Sequence, residues 1–168
     1  LTARMPEQAR AWWVAGAVLV QLRLLANMFD GMVALETGKA SPVGELFNEV
    51  PDRVSDVATL AGLGLAAGSD PLAGLAAGCV AVFVAYIRAM GKAAGVAQDF
   101  CGPMAKPQRM FVVTVVALWC GLAPVAWQAS GGVGMPLWVL CLLIAGGLGT
   151  ALRRLRRIAR ALRAGGVR

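Results

Sequence analysis

Five apolar stretches, at roughly 11–35, 53–69, 72–91, 110–129 and 135–152, decide most of what this chain can become. Several approach the ~20 residues that a helix needs to cross a bilayer core. None alternates with period two, so helices, which satisfy their own backbone groups, are expected in place of a membrane barrel. The second stretch is short and opens on polar residues, so its helix is expected to start in the interface. Composition agrees, because 58% of residues are hydrophobic and 15% charged, against about 25% charged in soluble domains. The expected fold is an all-α polytopic membrane bundle of five helices. A single domain fills 1–168, with a basic cytoplasmic tail at 153–168.

Charge gives the orientation. Of the 16 Lys and Arg residues, seven lie in the tail "RRLRRIARALRAGGVR", directly after an apolar stretch. A basic cluster in that position is a topology signal and a contact for anionic headgroups, which argues against nucleic acid as the partner. The loop from 88 to 109 carries Arg88, Lys92, Lys106 and Arg109, while the turns "GSDP" (68–71) and "SGGVGMP" (130–136) carry no Lys or Arg. By the positive-inside rule, loop and tail are cytoplasmic. The chain then lies in the cell inner membrane, and five crossings put Leu1 outside. Four cysteines at 79, 101, 120 and 141 form no C-x-x-C pair and the chain has no histidine, so zinc-type ligation is not expected. They read as small apolar helix residues, with Cys101, in a polar loop, as the exception. Gly64/Gly68 and Gly74/Gly78 give small-x-x-x-small spacings that let helices approach closely.

One stretch departs from the apolar pattern: "NMFDGMVALETGKASPVGELFNEVPD", from Asn27 to Asp52. It shares the cytoplasmic side, since two crossings separate it from the 88–109 loop. Polar residues beside membrane helices mark function by default, because they are expensive to place there. Arg23, Asn27 and Asp30 are spaced i, i+4, i+7 and share one helix face. Asn48, Asp52 and Asp56 repeat that logic at i, i+4, i+8. "ETGKASPVG" is long enough to turn the chain back, so two oxygen-bearing faces can meet at the membrane surface. Carboxylates and carboxamide oxygens suit Mg²⁺, Mn²⁺ or Ca²⁺. Spacing leaves two readings open, a metal–phosphate site or an acidic cytoplasmic loop.

The same stretch resembles the signature of the CDP-alcohol phosphatidyltransferases, D-x2-D-G-x2-A-R-x8-G-x3-D-x3-D. Asn27 takes the first Asp position, Asp30 the second, Gly31 the glycine and Ala34 the alanine. Leu35 stands at the Arg position, Gly44 at the second glycine, Asn48 at the third Asp and Asp52 at the fourth. Arg53 follows where many members have Lys. The departures are therefore Asn27, Leu35 and Asn48. The family has six membrane helices, which implies that its first helix lies upstream of Leu1.

The resemblance implies transfer of a phosphatidyl group from CDP-diacylglycerol to an alcohol acceptor, a polyol or polyol phosphate, with release of CMP. It makes Asp52 the general base. Asn27, Asp30, Asn48 and Asp52 are the ligands of Mg²⁺ or Mn²⁺, and Gly31, Ala34 and Gly44 are substrate-binding. Arg23, Arg88, Lys92, Lys106 and Arg109 are placed to hold phosphate charge, although the lysines and Arg109 are equally read as topology residues. The expected partners are CDP-diacylglycerol, the acceptor, the bilayer and a second copy of the chain in a homodimer. Two other readings stay open: a degenerate member that binds CDP-lipid or metal without turnover, and a small transporter. Polar residues clustered at one face oppose transport.

Overall fold

The computed structural model describes residues 7–36, 42–97, 102–124, 127–130 and 132–165. Cys101 and Leu1, on which two expectations rest, lie outside them. Five helices follow in chain order: α1 (Glu7–Glu36), α2 (Pro42–Gly64), α3 (Pro71–Ala93), α4 (Lys106–Leu122) and α5 (Met135–Arg163). A two-residue hairpin before α5 pairs β1 (Ala129–Ser130) with β2 (Val133–Gly134), antiparallel. Helices dominate because apolar segments without side-chain partners for their backbone groups must bond internally.

Among the described residues, three helices are long and apolar enough to cross a membrane: α1 over Arg10–Val33, α3, and α5. The other two differ for physical reasons. α2 opens on the polar half of the 27–52 stretch, and it begins at Pro42, well before the apolar run at 53. Pro42 stands at the helix start, where a missing N–H is harmless, and Pro51 is carried inside the helix. α4 is 17 residues long. At the other end, the basic segment after 152 continues α5 as far as Arg163, so that the helix runs 29 residues without a break.

α2 packs against α3, α3 against α5, and α1 along α4. Leu60, Leu63, Ala77, Ala81, Val113, Val116, Leu140 and Leu143 form the buried centre shared by α2, α3, α4 and α5. Around it, Trp12, Leu19, Phe83, Phe111 and Leu142 point outward and exposed, as apolar residues do on a surface made for lipid. The α2–α3 crossing is glycine-made. A Cβ at Gly64 would sit 2.7 Å from the Gly74 Cα, so neither position accepts a side chain without moving the helices apart. Gly68, expected in the same stripe, instead turns the chain at φ +73°.

α1 is tied to α4 at the far end by Arg10, whose guanidinium donates to the carbonyls of Gly121 (3.0 Å), Leu122 (2.9 Å) and Ala123 (2.9 Å), the bare C-terminus of α4. Midway, Gln21 Nε2 donates to Thr114 Oγ1 at 2.7 Å. Towards α2, by contrast, α1 leaves an apolar cavity of about 660 Å³, lined by Trp13, Gly16, Val20, Thr59, Gly62 and Val113 among others. The described links from α1 to α2 are polar and lie together near the other end.

Candidate active site where two polar helix faces meet

Asn27 and Asp52 are in contact. Asn27 Nδ2 donates to Asp52 Oδ1 at 2.5 Å, joining the i, i+4 face of α1 to that of α2. One turn deeper, Arg23 Nη2 donates to Asp56 Oδ1 at 2.7 Å and stands 3.8 Å from Asp52 Oδ1. The expected meeting of two faces is therefore present at these four residues. Asp30 and Asn48, one turn out along each face, are exposed and make no hydrogen bond or ion pair among the described residues.

α4 supplies cations to the same two carboxylates. Lys106 pairs with Asp52 Oδ2, and Arg109 Nη2 donates to Asp56 Oδ2 at 2.5 Å. Their placement is set by the segment before them. Thr150 Oγ1, on α5, accepts the backbone N–H of Met104 at 3.0 Å and donates to the carbonyl of Gly146 at 2.8 Å. Gly102, at φ +151°, lies so close to Thr150 that a Cβ would meet its Cγ2 at 2.2 Å. The loop is thereby pinned on α5, and Pro107 starts α4 directly after it.

Electrostatics follow from this geometry. Burial opposes ionisation of Asp52, but the hydrogen bond and charge of Lys106, the Asn27 amide and the charge of Arg23 outweigh it. The carboxyl is held below its ordinary value. Burial also presses the Arg109 guanidinium down, with Asp56 acting against it.

Beside Asp52 opens a cavity of about 330 Å³ whose polar lining comprises Glu49, Arg53, Arg88, Lys106, Arg109 and Arg154. Arg88 Nη2 is bonded to Glu49 Oε1 at 2.5 Å. Arg154 is 4% exposed and reaches the carbonyl of Val84 at 3.4 Å. Cations outnumber carboxylates in this lining, which gives the cavity a positive potential.

The remaining expected residues are less central. Lys92 is exposed in the last turn of α3. Gly31 is half-buried, and a Cβ there would meet nothing within 4 Å, so open space lies in front of it. Gly44 is exposed, and the Ala34 side chain lies outside the described residues. Arg88, expected among the phosphate-holding cations, lines the cavity; sequence reasoning gave Arg154, which also lines it, no site role. Arg154 is one of seven basic residues in a row of similar ones, and nothing in the local spacing distinguishes it.

An all-helical bundle with this spaced polar face on its first two helices defines a class. The chain belongs to the CDP-alcohol phosphatidyltransferase family, as a divergent member with Asn27, Leu35 and Asn48 in the signature. It is similar to a phosphatidylinositol phosphate synthase of Mycolicibacterium smegmatis, 32% identical over 137 residues, 77% of this chain and 59% of the relative. An archaetidylinositol phosphate synthase of Aeropyrum pernix is 34% identical over 103 residues, 61% of this chain and 53% of the relative. A phosphatidylinositol phosphate synthase of Mycobacterium tuberculosis is 30% identical over 132 residues, 75% and 59% respectively. The chain thus spans less than two thirds of the length of these relatives. No family model and no solved structure matches it.

Proposed function

We propose that the chain transfers the phosphatidyl group of CDP-diacylglycerol to a phosphate-bearing alcohol, in phospholipid biosynthesis, with CMP as the leaving group. The observation that carries this reading is the cation-lined cavity of about 330 Å³ directly beside Asp52. A neutral alcohol gains nothing from Lys106, Arg109, Arg88 and Arg154, whereas an acceptor bearing a phosphate is held and oriented by them. The names of the relatives, all inositol phosphate lipid synthases, support the same acceptor class.

In the reaction, the acceptor hydroxyl oxygen forms a bond to the lipid-side phosphorus of the diphosphate. The bond from that phosphorus to the oxygen bridging to CMP breaks, and the electron pair leaves with CMP. Asp52 takes the hydroxyl proton. Its ionised state is maintained by Lys106, Asn27 and Arg23, so it is ready to accept at neutral pH. The ~660 Å³ apolar cavity between α1, α2 and α4, whose wall residue Thr59 lies one turn from Asp56, is suited to the hydrocarbon of a lipid substrate.

The donor chemistry fits a divalent ion. Asp30 and Asn48 are exposed and uncommitted among the described residues, Asn27 engages Asp52 through its nitrogen and keeps its amide oxygen, and all four groups offer hard oxygens. Asp30 and Asp52, with Asn27 and Asn48 as neutral ligands, would hold Mg²⁺ or Mn²⁺, which supplies charge neutralisation of the diphosphate. The basic end of α5 and the cations around Asp52 support a site facing the cytoplasm across the inner membrane. The test is CMP release from CDP-diacylglycerol by the purified chain, with inositol phosphate, glycerol phosphate, inositol and glycerol as acceptors and Mg²⁺ or Mn²⁺ supplied or chelated. Preference for the free polyols would overturn the acceptor class. No CMP release with any of the four would overturn the transferase.

A further inference from the structure

Beneath Asp52, three guanidinium groups converge on one carboxylate that plays no part in the chemistry above. Asp56 has no exposed surface. It accepts from Arg23 of α1 at 2.7 Å and from Arg109 of α4 at 2.5 Å, and Arg53 Nη1 stands 3.7 Å away. Asp56 itself does not line the cavity, but Arg53 and Arg109 do.

The charges do not balance. Arg23, Arg53, Arg88, Lys106 and Arg109 face Glu49, Asp52 and Asp56 in one network of ion pairs, which leaves two positive charges in surplus. The hydrogen bonds do not balance either. Arg23 Nε and Nη1, Arg53 Nε and Arg109 Nε are buried without an acceptor among the described residues. Buried, charged N–H groups left without acceptors are strongly penalised, and Arg109 is only 4% exposed. A phosphoryl group brings negative charge and several acceptor oxygens, which answers both imbalances at once.

We propose that Asp56 is a positioning residue. It holds Arg23 of α1 and Arg109 of α4 so that the unpaired N–H groups of Arg109 and Arg53, which line the cavity, receive a substrate phosphoryl group at its floor, with Arg23 fixing Asp56 from behind. Asp56 touches no substrate and acts through the arginines. The assignment rests on the transferase reading for the identity of that substrate, and the phosphoryl group belongs either to the diphosphate of the CDP-lipid or to the acceptor.

The experiment has two parts. First, the full chain in lipid nanodiscs is titrated with inorganic pyrophosphate, without divalent metal, while the thermal midpoint is followed. The wild type is expected to be stabilised, and half-saturation to weaken by about tenfold or more in Asp56→Asn and in Arg23→Gln, as when one partner of a buried charge pair is removed. Arg23→Gln leaves the Asp56–Arg109 pair in place and serves if Asp56→Asn does not fold.

Second, CMP release is measured. Asp56→Asn and Arg23→Gln should each raise one KM, that of CDP-diacylglycerol or that of the phosphorylated acceptor, by more than they lower kcat. Which KM moves names the source of the phosphoryl group. The double variant should be no worse than the poorer single one. A purely structural Asp56 would lower the midpoint and leave half-saturation and KM unchanged in the folded protein, which overturns the proposal. So does a wild type that pyrophosphate does not stabilise, or losses that add in the double variant. Stabilisation by pyrophosphate with no CMP release from any acceptor supports the anion site and overturns the transferase reading.

Discussion

The Asn27 amide donates to the Asp52 carboxylate across 2.5 Å, at a position where the family signature has a second carboxylate. In this chain the α1–α2 contact is therefore attractive before any metal binds. Restoring the carboxylate with Asn27→Asp removes a hydrogen bond to a charged group, worth about 2 kcal/mol, and sets two negative charges together. The metal-free variant should be less stable than wild type by about that amount, and Mn²⁺ should restore it. With Asn48→Asp added, Mn²⁺ should bind more tightly. Titration of the wild type and the double variant decides this, and identical affinity and stoichiometry would mean that neither side chain faces the ion.

Asp52→Asn keeps the size of the side chain and removes the proton acceptor. CMP release should fall by roughly 10²–10⁴, while binding of CDP-diacylglycerol to nanodisc-held protein stays within a few-fold. Substantial retained turnover would take the base role away from Asp52.

The pH profile follows from the lowered Asp52 value. A carboxyl held below its ordinary 3.8 is fully ionised above that value and loses its charge only as pH falls through the lower one. Stability has the same sign, with the Asp52 contribution present above 3.8 and lost in stronger acid. Turnover should thus show no limb from Asp52 between about pH 5 and 8. Lys106→Met, which removes the largest of the lowering influences, should move the acid limb upward, and by more than Asn27→Ala does. Rate measurements from pH 3 upward, on protein shown to remain folded, test the order.

The α2–α3 crossing predicts a steric effect. Gly74→Val puts a Cβ 2.8 Å from the Gly64 Cα and from the Leu60 carbonyl oxygen. Overpacking of this kind destabilises by about 1–3 kcal/mol. Gly62→Ala on α2, where a Cβ meets nothing within 4 Å, should be close to neutral. Thermal midpoints in one detergent compare the two.

Much of this arrangement was legible in the sequence, for reasons of period and spacing. Asn27 and Asp52 could be expected to meet because i, i+4 spacing fixes a helix face and the intervening segment can turn back. The start of α2 was not legible, because "PVGELFNEVP" is bracketed by prolines, carries mixed polarity and buries little of its apolar surface. Asp56 was visible on its face, but its partners Arg23 and Arg109 lie 33 and 53 residues away, and no local pattern encodes such pairs. The continuation of α5 had a signal in its Leu, Arg and Ala, all strong helix formers. The inward turn of Arg154 had none, because it depends on what α3 presents to it, as at the Val84 carbonyl.

The unbroken course of α5 sets a depth scale for the whole molecule. Placed across a bilayer, residues 135–152 supply about 27 Å of apolar length, slightly less than the ~30 Å of an average hydrocarbon core. Arg153, Arg156, Arg157, Arg160 and Arg163 follow at once on the same rigid rod, with no hinge to absorb a change in thickness. A thick, sterol-like membrane must either compress around this helix or draw guanidinium groups into its hydrocarbon, and each ångström of misfit adds to the penalty. The protein therefore carries its own gauge of membrane thickness, and thin bilayers are where it rests without strain.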